Sequence, residues 1–420
     1  MQQGEAVRLW GFVDWATQKH SACVVDGQGK AVAEFEVDNS PEGLSELVVK
    51  LTGLCDGNLE TMRIGIERPD CPVVDVLLDA GFTVFTLNPK QMDRFRDRYS
   101  PAGAKDDRRD CFVGGNALRT DANAFHRVEP ESDAARELRE WSRIDREVCQ
   151  DSVGLANRLR EQVLRVAPHW LELCPAADAP WFWTLLELAP TPKAGAGLTL
   201  RQVRVVLRRH RIQRLRAEQV LTAWQTSCLG TPQGVLTAVS AHIGVLLSQL
   251  RPLHEERRKA KAALDRCMKA YKAEAQAASP AGRCDDITIV LSQPGIGLGV
   301  AASLFGEAGR CLRERNLRAF RTQTGIAPIT KQSGKSRQVL MRRACQVRLR
   351  DACFHWARCA VIYDPHSKEH YAALKRKGHS HARALRGVAD RLAGRLFVML
   401  ERGTLYDPNH RRVPSGEKTA

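Results

Sequence analysis

Four carboxylates in the first third of the chain have the types and spacing of a two-metal phosphodiester site. Asp14 follows the apolar run 7–13 (VRLWGFV), Glu67 follows the run 62–66 (MRIGI), and Asp107 and Asp110 fall within 105–110 (KDDRRD). An acid at the end of a buried strand is held rigidly and can still face a cleft. Two acids at i and i+3 project from one side of a helix. Carboxylates gathered this way cannot all stay ionised without a counter-charge. The natural occupants are hard, oxygen-seeking cations such as Mg²⁺, bound beside substrate phosphates and acting as a pair on an in-line displacement. Taken singly, each acid has a plainer reading as a helix cap, a surface charge or a strand-end turn. Asp106 competes with Asp107, because both lie on the Asp110 side of a helix and geometry alone does not separate them.

A second reactive group stands in the stretch 324–337 (TGIAPITKQSGKSR), which reads as a loop rich in Gly, Ser and Lys. Ser333 precedes Gly334, so the backbone can turn tightly and expose the hydroxyl, while Lys331, Lys335 and Arg337 could hold a phosphate. Serine attack on a phosphodiester would leave a covalent phosphoserine and free a sugar hydroxyl. By composition alone such a loop more often binds phosphate or solvent, and the GxxxxGK[ST] spacing of a P-loop is missing. Upstream, Gly295 and Gly297 lie in a Pro-Gly-Ile-Gly turn between helical stretches. That turn either offers backbone N–H groups to a phosphate or is a plain tight turn. His366, His370, His379 and His381 have no Glu in the HExxH position and no cysteine beside them, so no metal is expected there.

The elements that must position these groups follow from periodicity. The first ~125 residues alternate strand-like and helix-like stretches, the pattern of an α/β domain. Strands are expected at 7–13, 20–26, 31–37, 62–67 and 82–87. Helices are expected from Ser40-Pro41-Glu42, a capped start with Pro in the first turn, and over 71–80. Three antiparallel strands, a helix, then strand–helix–strand is the ribonuclease H order, which sets acids of the first and fourth strands side by side. From about 135 to 278 the pattern is helical, broken by a Pro-rich, Trp-bearing loop near 175–192. Val239, Ile243, Leu246, Leu250 and Leu253, continued by Ala260, Leu264, Cys267 and Tyr271, form a stripe of steps of 3 and 4. This is a two-stranded coiled-coil seam, the favoured reading, or the buried stripe of a bundle helix. Seven arginines crowd residues 201–216, as a solvated helix face or as a phosphate-tracking one.

Composition narrows the partners. At 420 residues and 43% hydrophobic content the chain should hold two or three cored domains. Thirteen cysteines fall singly with no CxxC pair, which argues for reduced thiols and against structural zinc. No stretch approaches the ~20 apolar residues of a membrane span, and the N-terminus has no secretory pattern, so a cytoplasmic location is expected. The net charge of +16 lies wholly in residues 301–420, which carry 25 Lys and Arg against 9 Asp and Glu. An excess so localised points to a polyanion, nucleic acid above all.

Together these pieces resemble the DEDD-type insertion-sequence transposases, bridge-RNA-guided recombinases to which the Piv-type DNA invertases are related. The similarity runs over nearly the whole chain. It rests on the strand ending in Asp14, on IGIERP at 64–69, and on a Lys-x-Asp-x-x-Asp pattern. Lys105, Asp107 and Asp110 match that pattern, which selects Asp107 over Asp106. PGIG at 294–297, Gly306-Glu307, GIAPITKQSG at 325–334 and Tyr406-Asp407-Pro408 complete it. The chain departs from the family in its long middle segment and in Lys-Asp-Asp where many members have Lys-Thr-Asp.

The resemblance implies an α/β plus α architecture. A ribonuclease H-like (RuvC-like) domain would occupy 1–135, a helical coiled coil 136–285, and a basic, mostly helical transposase domain 286–420. It implies that Asp14, Glu67, Asp107 and Asp110 bind Mg²⁺ and that Ser333 is the nucleophile, with Ser336 as the fallback. Lys331, Lys335, Arg337, Arg342, Arg343, Gly295 and Gly297 would hold nucleic-acid backbone. The partners implied are donor and target DNA, a structured non-coding guide RNA, and further copies of the chain in a dimer or tetramer. Carboxylates and serine would meet across a protomer interface. Two other readings stand beside it: a hydrolytic RuvC-like junction nuclease in which water attacks, and an RNA-guided binding protein that does not cut.

Overall fold

A computed structural model describes residues 7–67, 69, 71–99, 106–226, 230–278, 284–334 and 336–409. The chain divides into two compact units, Met1–Glu131 and Ser132–Ala420. In the first, the runs read as strands form β1 (Leu9–Asp14), β2 (Lys19–Val25), β3 (Ala31–Asp38), β4 (Met62–Ile66) and β5 (Thr83–Thr86). A sixth strand, β6 (His126–Arg127), was not expected, since two residues are too short to show alternation. The helices are α1 (Pro41–Leu54), α2 (Pro72–Asp79), α3 (Pro89–Asp97) and α4 (Asp107–Thr120). Ser40 caps α1 by accepting from the Gly43 N–H, with Pro41 in the first turn.

The sheet order is β3-β2-β1-β4-β5-β6. The pairs β1–β2, β2–β3 and β5–β6 are antiparallel, and β1–β4 and β4–β5 parallel. This order is consistent with the ribonuclease H-like arrangement expected from the sequence. Both faces are covered, which is why the inner strands read as nearly continuous apolar runs. Val13, Val24 and Ile64 share a core with Leu47 of α1 and Leu77 of α2. Phe12, Cys23 and Val25 share another with Met92 of α3 and Cys111 and Val113 of α4.

The second unit is mostly helical. Its elements are α5 (Asp133–Val166), α6 (Pro180–Leu188), α7 (Pro192–Gly195), α8 (Leu200–Arg209), α9 (Ala217–Gln225), α10 (Gln233–Ala278), α11 (Asp286–Ser292), α12 (Leu298–Arg313), α13 (Leu317–Gln323), β7 (Ile329–Ser333), β8 (Ser336–Leu340), α14 (Val347–Tyr363), α15 (Pro365–Arg376) and α16 (His381–Arg402). The long helices α5 and α10 run antiparallel. Leu138 near the start of α5 shares a core with Leu264 and Cys267 near the end of α10. Leu159 and Val163 share the other core with Val239, Ile243, Leu246 and Leu250. The stripe read as a seam is therefore filled from within the chain, the bundle alternative, and does not itself require a second copy. The same helix is long and apolar enough, by length and composition, to cross a membrane. The sequence reading overlooked this, because the stretch is assembled from Ala, Gly, Ser and Thr as well as Leu and Val.

Two segments read as loops carry structure. Within 175–192, Pro180 starts α6, whose Trp181, Phe182, Trp183, Leu185 and Leu186 are buried. The Pro-rich composition marked a helix start rather than a break. Within 324–337, β7 and β8 pair as an antiparallel hairpin from Ile329↔Leu340 to Ser333↔Ser336.

Candidate active site

The geometry of the acids follows from one close helix–strand contact. Phe12 of β1 faces α4: a Cβ added to Gly114 would meet the Phe12 ring at 2.4 Å, and one added to Gly65 of β4 at 2.6 Å. Those glycines let α4 press onto the sheet, and the periods of strand and helix then place the acids. Asp14 lies two residues beyond Phe12 and so turns to the α4 face, while Glu67 stands just past the end of β4. Asp110 lies one helical turn before Gly114 on that same side. Val13 pairs with Ile66, so Asp14 and Glu67 continue adjacent parallel strands, about 5 Å apart.

Electrostatics place two of the acids, Asp14 and Asp110, near one side chain of α4. The buried Cys111 thiol donates to the Ser21 carbonyl at 3.1 Å. Its pKa is pushed up by burial first and then by the nearby charges of Asp14 and, more weakly, Asp110. Asp110 is 5% exposed. Arg96 of α3 lies against it, Nη1 to Oδ2 at 3.4 Å, and also holds Asp93. Asp107 sits exposed at the start of α4, while Asp106 is its N-cap and accepts from the Arg108 N–H at 3.3 Å. A capping carboxylate is occupied; Asp107 is the neighbour left to project from the first turn. Lys105 lies outside the described residues.

The acids suit a hard divalent ion in donor chemistry. In this arrangement, however, no group of three or more His, Cys, Asp or Glu side chains is placed to hold an ion among the described residues. Arg96 supplies the positive charge next to Asp110 instead. Arg96, Gly65 and Gly114 escaped the sequence reading. The signal available was Gly114-Gly115 inside a helical pattern, a poor helix former twice over unless a close approach requires it.

Ser333 belongs to the second unit, at the tip of the β7–β8 hairpin. It pairs directly with Ser336, so the two hydroxyls share one face, with Lys331 two residues back on that face and Arg337 on the other. Gly334 has φ +54°, the left-handed turn that glycine permits. Ser333, Ser336, Lys331 and Arg337 are all exposed, and Lys335 lies outside the described residues. Arg343 is exposed as well, whereas Arg342 donates from Nε to the Ala327 carbonyl at 3.3 Å at the root of the hairpin.

Gly295 has φ +84°, and a Cβ there would meet the Ala360 N at 2.6 Å, so packing against α14 already demands glycine. Gly297 begins α12 without a side-chain cap and with open space around it. A carboxylate oxygen of Asp145 lies 4.0 Å from where a Gly299 Cβ would stand, in the first turn of α12. Any phosphate approaching that turn would therefore meet a nearby negative charge.

Comparison with known proteins fits this picture. A DEDD-type family model described as a transposase matches residues 13–168, and the model of the transposase IS116/IS110/IS902 family matches residues 287–372. A Sinorhizobium fredii protein, described as a candidate transposase and named y4uE, is 41% identical over 224 residues, covering 52% of this chain and 62% of its own length. The chain thus spans less than two thirds of that relative. A candidate mini-circle transposase for IS117 from Streptomyces coelicolor is 28% identical over 98% of both chains. An uncharacterised protein of insertion element IS110 from the same species is 28% identical over 99% of both.

Proposed function

Because the chain belongs to the IS110/IS116/IS902 transposase family, we propose that it cleaves and rejoins DNA with a Mg²⁺-binding carboxylate site and a serine nucleophile. The observation that supports the reading is that Asp14 and Glu67 stand at the ends of the adjacent parallel strands β1 and β4, with Asp14 and Asp110 both near Cys111 of α4. With Asp107, these acids would hold the metal, which when bound offsets charge on the phosphate and its leaving oxygen. Arg96, 3.4 Å from Asp110, holds the positive charge that a bound cation would otherwise supply to that carboxylate. Ser333 Oγ would form the new bond to phosphorus as the bond to the sugar oxygen breaks, giving a phosphoserine link and a free sugar hydroxyl. Lys331, on the same hairpin face, would place positive charge beside that phosphate. Lys335, Arg337, Arg342, Arg343 and the Gly295–Gly297 turn would grip backbone.

The finer reading adds a structured non-coding guide RNA that selects donor and target DNA. It also adds assembly into a dimer or tetramer in which acids and serine come from different protomers, acting in the cytoplasm. The test is trapping. Wild-type protein incubated with its element ends and Mg²⁺ should leave a protein–DNA adduct that survives denaturation. Ser333→Ala and chelation of the metal should each abolish it. Cutting that persists in Ser333→Ala without any adduct would mean that water attacks, the hydrolytic nuclease reading.

A further inference from the structure

Glu307 of α12 is buried, its side chain 4% exposed. Arg143 of α5 grips both its oxygens, Nε to Oε1 at 2.8 Å and Nη2 to Oε2 at 3.2 Å. Gln346 Nε2 donates to the same Oε2 at 2.5 Å. The approach is built in. A Cβ on the preceding Gly306 would meet the Arg139 Cα at 2.9 Å, and α12 leaves helical geometry at the following Ala308, with φ −127° and ψ 16°.

Gln346 is also the N-cap of α14, and its backbone N–H donates to the Gln323 carbonyl at 2.8 Å. Beside it, Cys345 lies against Gly325, whose φ is +70° and whose added Cβ would meet the Cys345 Sγ at 2.9 Å. The Ala327 N–H donates to the Arg321 carbonyl at 3.1 Å, and the Ala327 carbonyl accepts from Arg342. Residues 325–327 and 342–346 are the two legs of the β7–β8 hairpin. They are fastened to each other and, through Gln346, to Glu307. Beyond them, every residue described in β7 and β8 except Ile329 is exposed, so the direction of the hairpin is set at its root.

We propose that Glu307 is a positioning residue: the Arg143–Glu307–Gln346 clamp fixes the angle at which Ser333 leaves the fold. The inference rests on the reading of Ser333 as nucleophile. A carboxylate offers two acceptor oxygens to three converging N–H donors. An amide in its place keeps the shape but turns an NH₂ group toward a donor. The root then loses its anchor while the hairpin hydrogen bonds stay intact. Small misplacements of a reacting group are costly in rate even when they arise far from the chemistry.

The experiment compares Glu307→Gln, Glu307→Asp and the milder Gln346→Ala in full-length protein. It measures single-turnover adduct formation at saturating element-end DNA with Mg²⁺, DNA affinity, and amide hydrogen exchange over residues 325–346. Glu307→Gln should slow the adduct step by about tenfold or more with DNA affinity unchanged and with faster exchange at the root. Glu307→Asp should recover part of the rate, and Gln346→Ala should show the same pattern more weakly. An unchanged rate, or unchanged exchange at the root, would overturn the proposal. Ser333→Ala is run alongside. If it still forms the adduct, the serine reading fails, and the exchange data alone then decide whether Glu307 holds the root.

Discussion

His20 shows how a single side chain steadies the loop that follows Asp14. Its Nδ1 accepts from the Ala16 N–H at 3.3 Å, so the ring proton sits on Nε2, which donates to Asn39 Oδ1 at 3.2 Å. Asn39 is oriented in turn by donating to the Thr17 carbonyl at 3.2 Å. The neutral ring satisfies both contacts, and His20 is 0% exposed. Burial holds its pKa below the ordinary 6.5, against a weaker opposing pull from Asn39. Above pH 6.5 folded and unfolded chains are both neutral here, and the full stability is present. As the pH falls from 6.5 toward the lower folded value, the unfolded chain takes up the proton first and stability is lost. Melting temperature should therefore drop on acidification through this window, and His20→Gln should flatten the drop. An equal slope in the variant would place the titration elsewhere. Beside the acids, Arg96 makes a different point. A carboxylate as buried as Asp110 costs free energy unless a positive charge accompanies it, and in this arrangement the guanidinium supplies that charge.

At the scale of elements, the approach of α4 to the sheet is the contact on which the acids depend. Gly65 and Gly114 face the Phe12 ring from two sides, and neither leaves room for a methyl group. Gly114→Ala should destabilise the protein by about 1–3 kcal/mol through overpacking, with cleavage lost as Asp110 shifts from Asp14. Gly154, on an exposed turn of α5 with nothing within 4 Å, provides the contrast. Gly154→Ala should stabilise by about 0.5–1 kcal/mol, since only helix propensity changes. Urea denaturation distinguishes them, and equal effects would refute the packing argument. The strands of the first unit were legible because apolar runs, and in β3 a period-two alternation, end in turn residues and acids. The hairpin carrying Ser333 was not, because its strands are polar and exposed and lack any apolar alternation to announce them. The cap at Asp106 was equally hidden. Two adjacent aspartates differ only once the first turn of a helix is drawn.

For the whole molecule, charge is the dominant feature. The C-terminal 120 residues hold the entire net excess of +16. In α8 the buried side is Val203, Val206 and Leu207, while all seven arginines of 201–216 are exposed. Arg204 is paired with Glu218 at 2.7 Å, so the stretch is partly a solvated, ion-paired surface. DNA affinity should nonetheless fall steeply with salt. For six or so phosphate contacts the loss is roughly a thousandfold between about 50 and 200 mM. Binding measured across that range would test it, and a flat profile would argue against backbone gripping by this surface.

The sequence by itself determined the family, the order of the strands, and the candidate acids. These are local properties: an apolar run, a capping serine and a spacing of three residues are written along the chain. Only the tertiary structure decided which surfaces the acids face, because that depends on which glycines let α4 reach Phe12. It also turned the α10 stripe from a possible seam between copies into a contact with α5. An apolar stripe specifies that it must be covered, but not by whom. The link from Glu307 to the Ser333 hairpin belongs to the same class. It joins residues of α5, α12 and α14, whose meeting no periodicity encodes.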